Sequence, residues 1–253
     1  MLWRKRIVVV PLVLAPATLC SAQTREAEHE EKPEQLINEL FVGENVYVQE
    51  KGEWVGVAAG SFTKGSGEKE WELEGEVKYG LTDRFQLSGE VPLVYVDPDG
   101  EDSHFGVGDL TLAANYNFIQ EPRWAVAVRS AFVLPTGASS RDLGGGEFVW
   151  EPQLLGYAKV GAGELYAGIG EQLGDDNDHF IYTVAGVYPF RPLVGVLELD
   201  GSTGGGEETL YLVPGAYIHP GGKEKMQLGV GVPIGLTHDS DDWGVVAKFI
   251  FEF

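Results

Sequence analysis

From Glu70 to Tyr79 the chain alternates: Trp71, Leu73, Val77 and Tyr79 fall on one parity, and Glu70, Glu72, Glu74, Glu76 and Lys78 on the other. A period of two places successive side chains on opposite faces of an extended strand, whereas a helix would mix the two sets around its circumference. The same pattern returns with Phe85, Leu87, Val91 and Leu93, with Leu110, Leu112, Tyr116 and Phe118, and with Trp124, Val126, Val128, Phe132 and Leu134. It returns again with Met226, Leu228, Val230, Val232, Ile234 and Leu236, and Trp243, Val245, Ala247, Phe249, Phe251 and Phe253 carry it to the last residue.

A soluble barrel or sandwich would bury the apolar row and wet the polar one. A transmembrane barrel does the reverse, with lipid outside and a polar interior. The charges favour the second: Glu72, Glu74, Glu76, Arg129, Lys159, Glu198, Lys248 and Glu252 all fall on the row opposite the apolar one. A terminal strand this apolar would be an aggregation hazard in water. Ending on an aromatic residue, it looks like the signal read by the barrel assembly machinery of the outer membrane.

The expected fold is therefore all-β, a closed antiparallel transmembrane β-barrel of about twelve strands in an up-and-down meander. The strands are expected near 53–62, 70–80, 84–95, 106–118, 123–134, 147–160, 164–173, 179–189, 192–200, 208–218, 225–236 and 243–253. Short turns at Leu81 to Asp83, Ile119 to Pro122, Gly161 to Gly163, Phe190-Arg191 and His219 to Glu224 alternate with generally longer connections. The latter, Asp97 to Phe105, Pro135 to Gly146, Gly174 to Asp178, Gly201 to Glu207 and Thr237 to Asp242, are acidic or glycine-rich and are assigned to the cell exterior. Pro92, Pro214 and Pro233 lack a ladder donor and are expected at bulges or strand ends.

Residues 1–22 read as a secretory signal: Arg4, Lys5 and Arg6, an apolar stretch from Ile7 to Leu19, and a small-residue exit at Ser21-Ala22, with cleavage before Gln23. Leu19 before Cys20 argues against a lipid-attachment cysteine, so the mature chain is expected to carry no cysteine. Residues 23–51 form an acidic segment before the barrel at 52–253, either a periplasmic tail or a plug in the barrel mouth. Within it, Leu36, Ile37, Leu40 and Phe41 could share one face of a short helix over Pro33 to Phe41. Without the three signal bases, the mature chain has 39 acids against 15 of the 18 bases, which disfavours nucleic acid as a partner. The expected partners are outer-membrane lipid and lipopolysaccharide, the assembly machinery and a small-molecule solute.

No catalytic, cofactor or metal site is expected. A hydrolase needs a nucleophile beside a base, yet His104, His179 and His238 fall in predicted external loops, His219 in a turn and His29 in the tail. The acidic runs Asp97 to Asp102, Asp175 to Asp178 and Asp239 to Asp242 could bind a hard cation, but the first departs from a calcium loop in its Gly100 spacing, and solvated loop tips account for all three. The candidate functional surface is the interior row: Glu72, Glu74, Glu76, Lys78, Glu90, Arg129, Glu151, Lys159, Glu198 and Lys248, with Tyr157, Tyr166, Tyr211 and Tyr217. A surplus of carboxylates there would favour cations in any water-filled lumen.

Gly80-Leu81-Thr82-Asp83-Arg84, Val91-Pro92, Gly108-Asp109-Leu110-Thr111-Leu112, Leu134-Pro135-Thr136-Gly137 and Gly231-Val232-Pro233 occur in that order through the chain. Together they resemble the outer-membrane proteins named for the meta-pathway of phenol degradation. The resemblance implies a small barrel passing hydrophobic or aromatic compounds, distantly like the long-chain fatty-acid channels. An apolar solute would need an apolar path through a lumen read here as acidic.

Overall fold

The computed structural model describes residues 35–65, 67–174, 178–220 and 225–253. The proposed signal, the first part of the acidic segment, His29 and most of the Asp175 to Asp178 run lie outside these residues.

One antiparallel sheet closes on itself. In chain order its strands are β1 (Trp54–Lys64), β2 (Glu68–Thr82), β3 (Phe85–Pro98), β4 (His104–Val107), β5 (Leu110–Glu121), β6 (Trp124–Leu134) and β7 (Val149–Val160). They continue with β8 (Gly163–Gln172), β9 (His179–Phe190), β10 (Leu193–Gly204), β11 (Glu207–Ile218), β12 (Met226–Gly231), β13 (Ile234–Gly235) and β14 (Trp243–Glu252). Both β4 and β5 pair with β3, and both β12 and β13 lie between β11 and β14, so each of these two pairs is one broken strand and the wall has twelve positions. Closure is by β14 on β1, in register from Val55 opposite Glu252 to Lys64 opposite Trp243. Phe253 adds a last rung, its N–H donating to the Trp54 carbonyl at 3.0 Å.

The prolines explain the two breaks. Pro92 faces the gap after β4, where Gly108 N–H donates to the Pro92 carbonyl at 2.9 Å. Pro233 lies in the gap after β12, and Val232 N–H reaches the Pro214 carbonyl at 3.0 Å. A residue without a ladder donor is tolerated where pairing is already interrupted.

The outward row carries Leu73, Val91, Leu112, Val128, Leu154, Ile169, Val184, Leu197 and Val230, all exposed. Aromatic side chains bracket this aliphatic band. At the end holding both ends of the closing pair are Trp54 on Tyr79 (centroids 4.5 Å apart), Tyr188 on Phe190, and Phe251 on Phe253. At the other end Phe62, Trp71, Tyr95 and Trp243 form a continuous group with centroids 5.0–5.5 Å apart. Trp54 and Phe62 are eight residues apart on β1, roughly 26 Å of strand and about 20 Å along a tilted barrel axis. Two aromatic girdles around an apolar band of this height match the two interfaces of an outer membrane.

Two expectations are corrected. Gly201 to Glu207 is not a long external connection, because β10 and β11 pair as far as Gly204 opposite Glu207. Gly205 and Gly206, at φ 60° and 98°, make the two-residue turn themselves, a conformation that favours glycine at both positions. The helix over Pro33 to Phe41 is absent from its described part: residues 35–50 are irregular, and their amides are satisfied by barrel side chains instead of a helical ladder.

Candidate functional site

Residues 35–50 lie within the barrel wall's interior. Ile37, Leu40, Phe41, Val46, Tyr47 and Val48 are buried, and all but Val48 belong to the same apolar cluster as Val57, Leu155, Tyr157, Tyr166, Val213 and Tyr217 of the strands. The segment rises from one end of the barrel and returns to it. Leu36 N–H donates to Glu164, beside the turn at 161–162, and Asn38 binds Gln227 and Glu252. The chain then turns over at Val42 to Glu44 and descends until Gln49 N–H donates to Gln86 and Lys51 N–H to Asp83, next to the start of β3.

Three amides at the turn-over point are held by one carboxylate. Glu198, fully buried on β10, accepts Phe41 N–H on Oε1 at 2.5 Å, and Val42 and Gly43 N–H on Oε2 at 3.0 and 3.2 Å. Three successive amides on one carboxylate satisfy donors that an irregular buried backbone otherwise leaves orphaned. Phe41 stacks on Tyr217 with centroids 4.6 Å apart, in a niche cut by glycines. A Cβ at Gly215 or Gly231 would strike the Phe41 ring, and one at Gly229 the Tyr217 ring. Gly215→Val is therefore expected to push Phe41 out of its niche and loosen the segment, seen as a rise in chymotrypsin cleavage within residues 35–50 of the folded protein.

Charge fixes the rest of the segment. Lys78 pairs with Glu39 at 2.6 Å and with Glu76 at 3.2 Å, all three shielded from water. Arg129 pairs with Glu44 at 2.9 Å and reaches Glu151 at 3.8 Å, and Gln172 donates to Glu151 at 2.7 Å. Burial alone would raise the half-buried Glu44 carboxyl, but Arg129, helped by Lys78 and Lys248, holds it below its ordinary value of 4.5. A depressed carboxyl contributes stability that is complete above the unfolded value and lost as pH falls through the folded one. The tip contact is thus expected to persist at neutral pH and to loosen only in acid below 4.5. The check is the acid limb of a cleavage or conductance profile, which Glu44→Gln should flatten.

Above the tip the lumen opens into two adjoining cavities. The larger, about 430 Å³, is lined by Glu39, Glu44, Glu72, Glu74, Glu76, Glu90 and Glu151 against Arg129 and Lys248. Seven acids against two bases make it strongly acidic. The other, about 310 Å³, lies between β7 and β11 and includes Gln153, Leu155, Thr183, Asp200 and Tyr211, with Val42, Gly43 and Glu44 as its floor. Of the interior residues expected from sequence, seven (Glu72, Glu74, Glu76, Glu90, Arg129, Glu151 and Lys248) line the larger cavity. Lys78 and Glu198 are instead consumed in holding the inserted segment, and Lys159 lies opposite Glu164 near the turn at 161–162. Sequence reading missed Asp200, Glu164, Gln86 and Gln227, although all four stand on the inward parity of their strands. It also missed Glu39 and Glu44, which lie in a segment without strand periodicity.

At the outer mouth, two of the short motifs meet. Asp109, in the gap between β4 and β5, accepts Gly137 N–H at 2.7 Å and Gly145 N–H at 2.8 Å, while Thr136 Oγ1 accepts Leu110 N–H and donates to the Gly108 carbonyl. Between these anchors Leu143 packs inward on Val94 and Val96. The connection between β6 and β7 is thereby folded over the mouth. Removing the shared acceptor in Asp109→Ala should free it at a cost of about 1–3 kcal/mol, read as new cleavage at Arg141 with the barrel still folded. Elsewhere, Asp239 and Ser240 close their own loop by accepting Glu208 and Leu210 N–H. Among the described residues no group of three or more His, Cys, Asp or Glu is placed to hold a metal ion.

The barrel is similar to three solved structures. An outer membrane channel from Pseudomonas putida F1 aligns with a TM-score of 0.65 at 17% identity, covering 83% of this chain and 98% of its own. The KdgM porin aligns at 0.57 and 11%, covering 78% and 99%, and the NanC porin at 0.54 and 8%, covering 78% and 98%. At these identities the likeness establishes the fold. No curated protein matches the chain in sequence. A family model described as "Putative MetA-pathway of phenol degradation" matches residues 65–253, which contain both broken strands, the motif that latches the mouth and the closing strand. The chain belongs to that family, and its fold is that of outer-membrane β-barrels.

Proposed function

We propose that this barrel is a passive channel for small solutes, selective for cations, and that residues 35–50 are a plug set into its periplasmic end. The observation that carries this reading is the acidic cavity above the tip, seven carboxylates against two bases in a space of about 430 Å³. Fixed charge of one sign in a confined aqueous space concentrates the opposite sign. In this reading the signal is removed near Ala22, and the outward row meets outer-membrane lipid and lipopolysaccharide. The narrower idea, passage of a hydrophobic or aromatic compound, draws support from the family description and from the aromatic cluster beneath the tip. There Tyr47, Tyr157 and Tyr166 sit edge to face with centroids 4.8–5.2 Å apart. The Tyr157 and Tyr166 faces become available only when the plug leaves and takes Tyr47 with it. The test is the reversal potential of purified protein in a planar bilayer under a potassium chloride gradient. A sign reporting potassium permeation supports the proposal, and a chloride-selective record contradicts it.

A further inference from the structure

The bases of the chain are divided unevenly between the two ends of the barrel. At the end with the short turns, Lys51 precedes β1, Lys225 precedes β12, and Arg84, Arg123 and Arg191 stand in the turns after β2, β5 and β9. All five are exposed, against three exposed acids there among the described residues, Glu50, Asp83 and Glu121. Asp83 is itself engaged by the Lys51 N–H at 3.0 Å. Among the described residues Lys51, Arg123, Arg191 and Lys225 form no ion pair. The connections at the opposite end hold a single base, Arg141, and run through Asp99 to Asp102, Asp175 to Asp178 and Asp239 to Asp242.

The neighbours of these bases say what the excess of positive charge meets. Trp124 follows Arg123 and is 47% exposed, and Phe190 and Leu193 bracket Arg191-Pro192 at 62% and 44%. Phe85 follows Arg84, and the exposed Met226 follows Lys225. Trp124, Phe190 and Leu193 lie on the outward row at this end of the sheet, where the aromatic girdle marks the membrane interface. A guanidinium one residue beyond a hydrocarbon-facing side chain stands at headgroup level, and its planar fork fits phosphate oxygens. Basic residues at an interface draw anionic lipid, and the effect fades within a Debye length. Free phosphate would gain nothing from the apolar neighbours, whereas a lipid uses both.

We propose that this rim binds anionic phospholipid of the inner leaflet, with lipid phosphates held by Arg123 and Arg191 and acyl chains lying along Trp124 and along Phe190 and Leu193. The inference goes beyond the channel reading and takes from it only which end faces the periplasm.

The test places two reporters in the chain from Gln23 onward, refolded into vesicles of phosphatidylcholine with a minor share of phosphatidylglycerol. One variant keeps Trp124 as its sole tryptophan, the other keeps Trp71 at the opposite girdle. Quenching by brominated phosphatidylglycerol is compared with quenching by brominated phosphatidylcholine at constant salt. Trp124 should report a preference for the anionic lipid of about threefold or more, and Trp71 none. Arg123→Gln should abolish the preference at Trp124, whereas Arg141→Gln should leave it intact. The unaltered chain with spin-labelled versions of the two lipids gives the same comparison without tryptophan replacements, so misfolding of a variant does not shelter the proposal. Equal quenching at Trp124, an equal preference at Trp71, a preference that survives Arg123→Gln, or its loss to inorganic phosphate at matched ionic strength would each overturn it. Residues 23–34 are present throughout, so a rim already neutralised by that acidic segment would show no preference and would overturn it too. Conductance separates the claims: cation current without the lipid preference removes the site and keeps the channel, and the preference without current does the reverse.

Discussion

Replacing Glu198 by alanine is expected to raise the single-channel conductance several-fold with little change in the barrel itself. The change strips the acceptor from three amides at once, and a buried donor left without a partner costs on the order of 1–3 kcal/mol. Val42 and Gly43 border the cavity and water can reach them, so their share lies at the low end. Phe41 is 3% exposed and has no such relief. Since about 1.4 kcal/mol is a tenfold change in an equilibrium, even a discounted loss moves the plug from almost always seated to frequently displaced. Of the remaining anchors, Arg129 on Glu44 acts at the tip, Lys78 holds Glu39 midway, and Leu36 and Asn38 hold Glu164 and Gln227 at the far end of the segment. The plug should therefore hinge from its base, with the tip leaving first. Glu198→Gln, which keeps one carbonyl acceptor, should fall between wild type and alanine. An unchanged conductance in Glu198→Ala, with heat-modifiable mobility showing a folded barrel, would mean that the segment does not obstruct the lumen.

The second large effect concerns selectivity. Changing Glu72, Glu74, Glu76 and Glu90 together to glutamine removes four of the seven carboxylates lining the larger cavity while preserving side-chain volume. Of the three that remain, Glu39 is paired with Lys78, and Glu44 and Glu151 share Arg129. A unit charge at about 8 Å acts on a passing ion with roughly 0.5–2 kcal/mol across effective dielectrics of about 80 to 20. Glu76 is itself paired with Lys78, so the other three charges, partly screened by salt, correspond to a change of about tenfold in the ratio of cation to anion permeability. The quadruple variant should give a reversal potential near zero, measured at pH 8 in a potassium chloride gradient. A retained cation preference would place the selectivity elsewhere, in the external loops or at the plug.

Much of the fold was legible because a barrel in lipid enforces parity on every strand. Leu73, Leu112, Val128 and Leu197 face out, Glu74, Asn115, Arg129 and Glu198 face in, and one misplaced residue would put a charge in hydrocarbon. Parity also carries the interior candidates, since Glu72, Glu90, Glu151 and Lys248 follow from their strand positions alone. What it cannot carry is the plug. Leu36, Ile37, Leu40 and Phe41 have helical spacing, but their amides find acceptors on Glu164, Gln227 and Glu198, more than a hundred residues away. Local spacing contains no trace of those partners. The same holds at the mouth, where Asp109 and Gly145 meet only because β5 and β6 pair.

In the proposed function the lumen is acidic, conducts, and is closed from below by residues 35–50. The most direct test is a planar-bilayer comparison of the full chain with one in which residues 35–48 are replaced by a glycine–serine linker of equal length, each in a potassium chloride gradient. The prediction is a small cation-selective conductance in the first and a several-fold larger one, still cation-selective, in the second. A barrel that stays silent in both, or that conducts equally in both, would contradict it.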